Sequence, residues 1–154
     1  MLNLLTAIAL SAAQQSALDR VGPLSEIYQS YNDCFAATAN GKLNPEALVE
    51  LGWGRATSNG AESQSPMIFG RGDRAPLLML NGDEESGICV VMAGFEDMAA
   101  VRKFLSAWGD KLPGFKDGQI FFFAEGHPII IRQGGSQKKP RLNLIVGTAS
   151  GTKE

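Results

Sequence analysis

The chain has 154 residues and a mass of 16.4 kDa, room for one domain rather than two. Hydrophobic residues make up 44% and charged residues 19%, which excludes a disordered chain and a highly charged coiled coil. A net charge of -2 and a pI near 5.4 exclude a nucleic-acid binder that works by bulk charge.

Met1 to Ala13, MLNLLTAIALSAA, carries no charged side chain and ends in the small residues Ser11-Ala12-Ala13. An apolar core followed by small residues is the pattern of an export signal, so residues 1–13 are a candidate leader, although no Lys or Arg precedes the core. The stretch is too short for a permanent transmembrane helix, which takes about 20 residues. The alternative is an ordinary helix over Leu2–Val21 with Leu2, Leu5, Ala9, Ala12 and Ala13 buried.

Beyond Gly22-Pro23, residues 22–149 read as a single α+β domain. Leu24, Ile27, Tyr28, Tyr31, Cys34, Phe35 and Thr38 recur at spacings of three and four, one face of a helix that runs to about Ala39 and stops at Asn40-Gly41. A second helix opens at Asn44-Pro45, with Ala47, Leu48 and Leu51 as its stripe, Gly52 as its stop and Trp53 as an apolar plug beside the core. Residues 56–65, ATSNGAESQS, are polar and small and read as a connecting loop.

From Met67 the period changes. Met67–Phe69, Pro76–Leu80 and Ile88–Met92 are short apolar runs separated by the turn residues Gly70–Asp73 and Asn81–Asp83, which predicts three antiparallel strands. A third helix spans about Phe95 to Trp108, burying Met98, Val101, Phe104, Leu105 and Trp108. Three further strands follow: Ile120–Phe123, Pro128–Ile131 and Leu142–Val146. The expected order is α-α-β-β-β-α-β-β-β, with an antiparallel sheet of about five to six strands. The three-strand groups on either side of the third helix suggest a degenerate repeat, but too few residues match to define one.

The candidate sites are sparse. Cys34 lies on the first helix and Cys89 in the third strand, and no Cys-x-x-Cys or nearby histidine suggests zinc. In an oxidising compartment they form one disulfide that clamps helix to sheet, stabilising by at most about 4 kcal/mol; in the cytosol they are small buried hydrophobes. Gly70-Arg71-Gly72-Asp73-Arg74-Ala75 fits G-x-G-x-x-A, yet a strand rather than a helix follows, so it reads as a hairpin turn, and its Arg71-Gly72-Asp73 tripeptide is set aside as chance. Asp83, Glu84 and Glu85 crowd one turn without calcium-loop spacing. His127, the only histidine, sits between Gly126 and Pro128 and reads as a solvated turn residue rather than a catalytic base. Gly41-Lys42 lacks the remaining residues of a phosphate loop, and Lys138, Lys139 and Arg141 read as a solubilising hairpin tip.

Phe121, Phe122 and Phe123 in succession place aromatics on both sheet faces. One face must meet the helices; the other is either covered by the first two helices or is an interface with another protein or a second copy. The residues therefore imply no catalytic group, cofactor or metal, no nucleic-acid partner and no integral membrane segment. The expectation is a disulfide-stabilised binding or accessory domain, periplasmic or secreted. The alternatives are a cytoplasmic ligand-binding or regulatory domain with an intact N-terminal helix, and an enzyme with a carboxylate site at Asp83, Glu84 and Glu85.

Overall fold

The stripe of apolar residues after Pro23 forms helix α1, Leu24–Ala37, with Ile27, Tyr31, Cys34 and Ala37 buried. It ends two residues earlier than the pattern predicts, because the Thr38 hydroxyl donates back to the Cys34 carbonyl oxygen at 2.7 Å and closes the last turn. Asn40 and Gly41, both at positive φ, then reverse the chain through a 3-10 turn. Helix α2, Pro45–Glu50, starts on its proline and buries Leu48. Leu51, expected in the buried stripe, is exposed because the helix stops before it.

The computed structural model describes residues 20–58, 61–62, 66–83 and 85–149. The candidate leader, residues 1–13, lies outside them. So does the alternative Leu2–Val21 helix except for its last two positions, of which Val21 is extended and bridged to Gly94.

Among the described residues nine strands follow in chain order: β1 (Gly54–Arg55), β2 (Thr57–Ser58), β3 (Ala61–Glu62), β4 (Met67–Arg71), β5 (Arg74–Gly82), β6 (Gly87–Gly94), β7 (Gln119–Ala124), β8 (His127–Gly135) and β9 (Pro140–Gly147). Seven of them form one antiparallel sheet in the order β1-β4-β5-β6-β9-β8-β7. The sheet is wider than the five to six strands expected because Gly54–Arg55 pairs along β4, a segment too short to show any alternation. Residues 56–65, expected to be loop, carry the small β2–β3 hairpin. Helix α3, Met98–Leu105, is shorter than the expected Phe95–Trp108. The Asp97 side chain accepts from the Ala100 N–H at 2.8 Å and fixes its start, and beyond Leu105 the chain tightens into a 3-10 stretch, Ser106–Lys111, that carries Trp108 to the core.

The helix-and-three-strand units on either side of Phe95 are a repeat. Pro45 and Met98, which open α2 and α3, stand 53 positions apart, as do Arg74 and His127, Gly87 and Pro140, and Gly94 and Gly147, the ends of matching strands. The central pair β6–β9 sets Val91 opposite Leu144, again equivalent positions, so an approximate two-fold axis runs through this pair normal to the sheet. Equivalent residues share a face: Leu48 and Val101, Phe69 and Phe122, Leu78 and Ile131, Val91 and Leu144 all belong to or pack against one core. Gly82 and Gly135 close the second strand of each unit at positive φ, where a Cβ would strike backbone atoms at 2.4 and 2.2 Å. Among the matched strand positions only Phe69/Phe122, Gly82/Gly135 and Gly94/Gly147 are identical, which is why the repeat does not stand out in the sequence.

Candidate binding face

Side chains along each strand alternate between the two faces of the sheet. The buried core takes one of them: Met67, Phe69, Leu78, Leu80, Cys89, Val91, Leu142, Leu144, Val146, Ile129, Ile131 and Ile120 pack with residues of α1, α2 and α3. All three helices of the described residues therefore lie on one side. This corrects one of the two expectations for the Phe121–Phe123 run, since the first two helices do not cover the other face.

That other face carries an apolar band from one side of the sheet to the other. Ile68 pairs with Met79, Met79 with Val90, Val90 with Ile145, Ile145 with Ile130 and Ile130 with Phe121, a continuous row over six strands. None of these six side chains belongs to the core cluster. Pro128 and Phe123 pair beside the row, and the Phe121 and Phe123 rings meet edge to face at 5.2 Å. Phe121 is 52% and Phe123 63% exposed, the largest exposures among the apolar side chains of the sheet. Polar residues flank the row at both ends: Asn143 pairs with Arg132 at one, and Asn81 stands beside Ile88 at the other. Val90 in the middle of the row is 5% exposed and its neighbours are half-buried, so the exposed apolar surface gathers at Phe121 and Phe123, the part of the face that marks an interaction site.

The sheet is fixed to its helices by two devices. The first is the disulfide between Cys34 and Cys89, both fully buried, which joins α1 to β6 as the sequence suggests. The second was not foreseen. Asp33 is 3% exposed and accepts from Trp53 Nε1 at 2.9 Å, Arg71 Nη2 at 3.0 Å and Gln29 Nε2 at 2.9 Å. Arg71 also donates to the Leu51 carbonyl oxygen at 3.0 Å and lies over the Trp53 ring at 4.2 Å. Trp53 is thus a plug with a polar handle. The sequence signal was the position of Asp33 three residues after Ser30 and four before Ala37, on the buried side of α1; its partners come from distant segments that no spacing connects.

The motifs noted in sequence have structural duties. Gly72 and Asp73 form the β4–β5 turn and a strand follows them, while Arg71 is directed to Asp33 rather than presented with Gly72 and Asp73 in a loop. Asp83 Oδ1 accepts from the Glu85 and Ser86 N–H groups at 2.8 and 3.0 Å, which holds its carboxyl below the usual carboxylate range. Glu84 lies outside the described residues. Lys138 and Lys139 stand exposed at the β8–β9 tip, as expected. Clefts of about 410 and 320 Å³ flank that hairpin and are lined by Gln133, Asn143 and Arg141 and by no carboxylate.

His127 overturns the expectation of a solvated turn residue. Glu125 and Gly126, both at positive φ, make the turn, so His127 is already the first residue of β8 and is 6% exposed. Its Nδ1 lies 2.9 Å from the Gly147 carbonyl oxygen, which only accepts, so Nδ1 carries a proton there. Thr38 Oγ1 stands 3.2 Å from the same nitrogen, and Phe35 packs edge-on at 4.8 Å. These contacts lock the end of α1 to β8 and β9.

No helix of the described residues is long and apolar enough to cross a membrane. Comparison with known proteins gives no matching family model, curated protein or solved structure.

Proposed function

We propose that this protein is a small, disulfide-braced binding domain without catalytic activity that works outside the cytoplasm, periplasmic or secreted, and engages another polypeptide through the sheet face opposite its described helices. The observation that carries this reading is the six-strand apolar row ending at the exposed Phe121 and Phe123 rings. A row of this width is a platform for extended apolar chain, because neighbouring strands present side chains about 4.8 Å apart in step with one another. The compartment is supported by the buried Cys34–Cys89 bridge, a bond that persists where thiols are not continuously reduced, and by the apolar leader pattern of residues 1–13.

Two measurements test it. Synthetic extended peptides, one set apolar and one polar, are titrated against the oxidised protein. Apolar peptides bind, and Ile130→Asp and Ile145→Asp abolish the binding without unfolding the chain; equal binding of both sets, or binding that survives both substitutions, defeats the reading of the face. Intact mass of protein from its native cells, before and after reduction, addresses the compartment. A processed N-terminus and a gain of two hydrogens on reduction support export, whereas an intact Met1 with both thiols alkylated in the absence of reductant overturns it.

A further inference from the structure

The two repeat units are closed differently at their outer edges. On β4, Ile68 and Gly70 turn their backbone groups away from β5, and the preceding segment takes them: the Ile68 carbonyl oxygen accepts from the Ala56 N–H at 2.8 Å, while Gly54 and Arg55 pair with Gly70 and Phe69. The equivalent positions on β7 are Phe121 and Phe123. Their backbone groups also face outward, because Ala124 and His127 flank a two-residue turn as a bonded pair and the phase alternates along the strand. Gly118 and Gln119 confirm the phase. The Gly118 carbonyl oxygen accepts inward from the Gln133 N–H, whereas Gln119 exchanges both its outward bonds with Lys116. Beyond Gln119 the outer edge of β7 has no strand among the described residues. The residues equivalent to β1 are Ala107 and Trp108, which are wound into a 3-10 turn, with Trp108 packed on Tyr31 and Phe104.

Exposed edges are ordinarily guarded by shortness, charge, proline or a bulge. The β4 side has a register shift between Phe69 and Arg71 and the two-residue β1 outside it. Strand β7 reads QIFFFA, six residues with no charge and no proline.

We infer that a second copy of this chain pairs beside β7, where no described strand does, its β7 running antiparallel to the first about a two-fold axis at Phe122. That register sets Phe121 opposite Phe123 of the other copy, twice, so outward N–H and C=O groups meet in bonded pairs. Four phenyl rings then gather on the open face, and the two apolar bands join into one. Gln119 keeps its outward bonds to Lys116, so the pairing spans Phe121 to Phe123, and the cationic Lys116 stands at the end of the paired stretch that the other copy's Glu125 approaches. Such a contact is isologous and closes on itself, leaving no second β7 edge to propagate. The inference deepens the binding reading by naming a partner, and it rests on that reading only in sharing the face.

Sedimentation velocity of the full oxidised chain over a wide concentration range tests it. A reversible monomer–dimer equilibrium is expected, with the Phe121 and Phe123 amides gaining hydrogen-exchange protection as concentration rises. Phe121→Lys weakens association about tenfold or more, since two cross-strand aromatic pairs are lost by symmetry. Phe121→Pro does the same by deleting an outward donor while sparing the β7–β8 ladder. Ile145→Asp, in the middle of the band, leaves the dimer intact while abolishing peptide binding, which separates the two proposals. If Phe121→Lys disturbs the fold by circular dichroism, Phe123→Lys serves in its place. A chain that is monomeric at every concentration, or a dimer that survives the edge substitutions, overturns the inference. So does a dimer lost only with Ile145→Asp.

Discussion

The unit from Asn44 to Gly94 and the unit from Asp97 to Gly147 share turn lengths, the lengths of their second and third matched strands and the side of the sheet that faces the helices, yet they are held to α1 by different forces. The first is tied covalently through Cys89, ionically through Arg71 to Asp33, and at its rim by β1. At the equivalent positions the second has Leu142 for Cys89, Ala124 for Arg71 and Ser106 for Trp53. It is held instead by an aromatic cluster in which Tyr28 stacks on Phe104 at 4.6 Å and Tyr31 meets Trp108 at 5.5 Å, with the buried His127 contact at its end. The contrast separates the two halves of a duplicated scaffold: one is anchored by covalent and ionic ties, and the other leaves two aromatic rings exposed beside an edge that no described strand pairs.

Breaking the covalent tie has the largest expected effect. Replacing both Cys34 and Cys89 by Ala opens a loop spanning a sequence separation of 55, which costs about 4 kcal/mol on the chain-entropy account. Equilibrium denaturation of the two proteins measures it. A loss below about 1 kcal/mol would mean that the bridge does little to distinguish the halves.

The ionic tie comes next. Asp33→Ala strips Trp53 Nε1 of its acceptor and leaves Arg71 with only Glu26 and the Leu51 carbonyl oxygen, and about 2 kcal/mol of stability is expected to go. Adding Arg71→Met removes a guanidinium that has lost its buried partner, so a double-mutant cycle should show coupling between Asp33 and Arg71. Additive losses would show that Asp33 acts by packing alone.

These anchors also mark how far the sequence was legible. The helices, the two strand groups and the disulfide follow from spacing, turn residues and cysteine position, all of which are local or pairwise signals. Asp33 with Arg71 was invisible because a buried ion pair depends on which distant segments meet, and Arg71 sat inside a turn motif that drew attention to itself. His127 was misplaced by one residue of turn geometry, since positive φ at both Glu125 and Gly126 completes the reversal before the histidine. The repeat was concealed by substitution within one physical class, as in Leu48 for Val101 and Leu78 for Ile131, where burial is kept and identity is not. For the open face, the Phe121–Phe123 run gave the clue, but only the strand order shows that Ile68, Met79, Val90, Ile145 and Ile130 line up with it.

The aromatic tie is tested by pH. Burial pushes the Tyr31 phenol up to about 12; a hydrogen bond with Trp108 pulls against that shift and the Glu125 charge adds to it. In the unfolded chain the phenol ionises near 10, so above that pH the unfolded state sheds a proton that the native state keeps. The stabilisation is therefore complete below about pH 10 and is lost as pH rises toward about 12. Denaturation midpoints across this range should fall, and Tyr31→Phe should flatten the fall. An unchanged slope in that variant would assign the alkaline loss to other groups.

The smallest expected effect is the one that isolates the free edge. Phe123→Ser removes a ring that is 63% exposed and touches Phe121 beside its cross-strand partner Pro128, so the stability of the isolated chain should change by no more than about 0.5 kcal/mol. Phe69→Ser, in the matching strand of the anchored half, removes a ring with no exposure and should cost about 4 kcal/mol. The ratio between the two is the comparison in its plainest form, one strand packed for stability and its counterpart left available. If Phe123→Ser cost as much as a buried phenylalanine, the ring would already be covered within the folded chain, and the edge it borders would not be open to a partner.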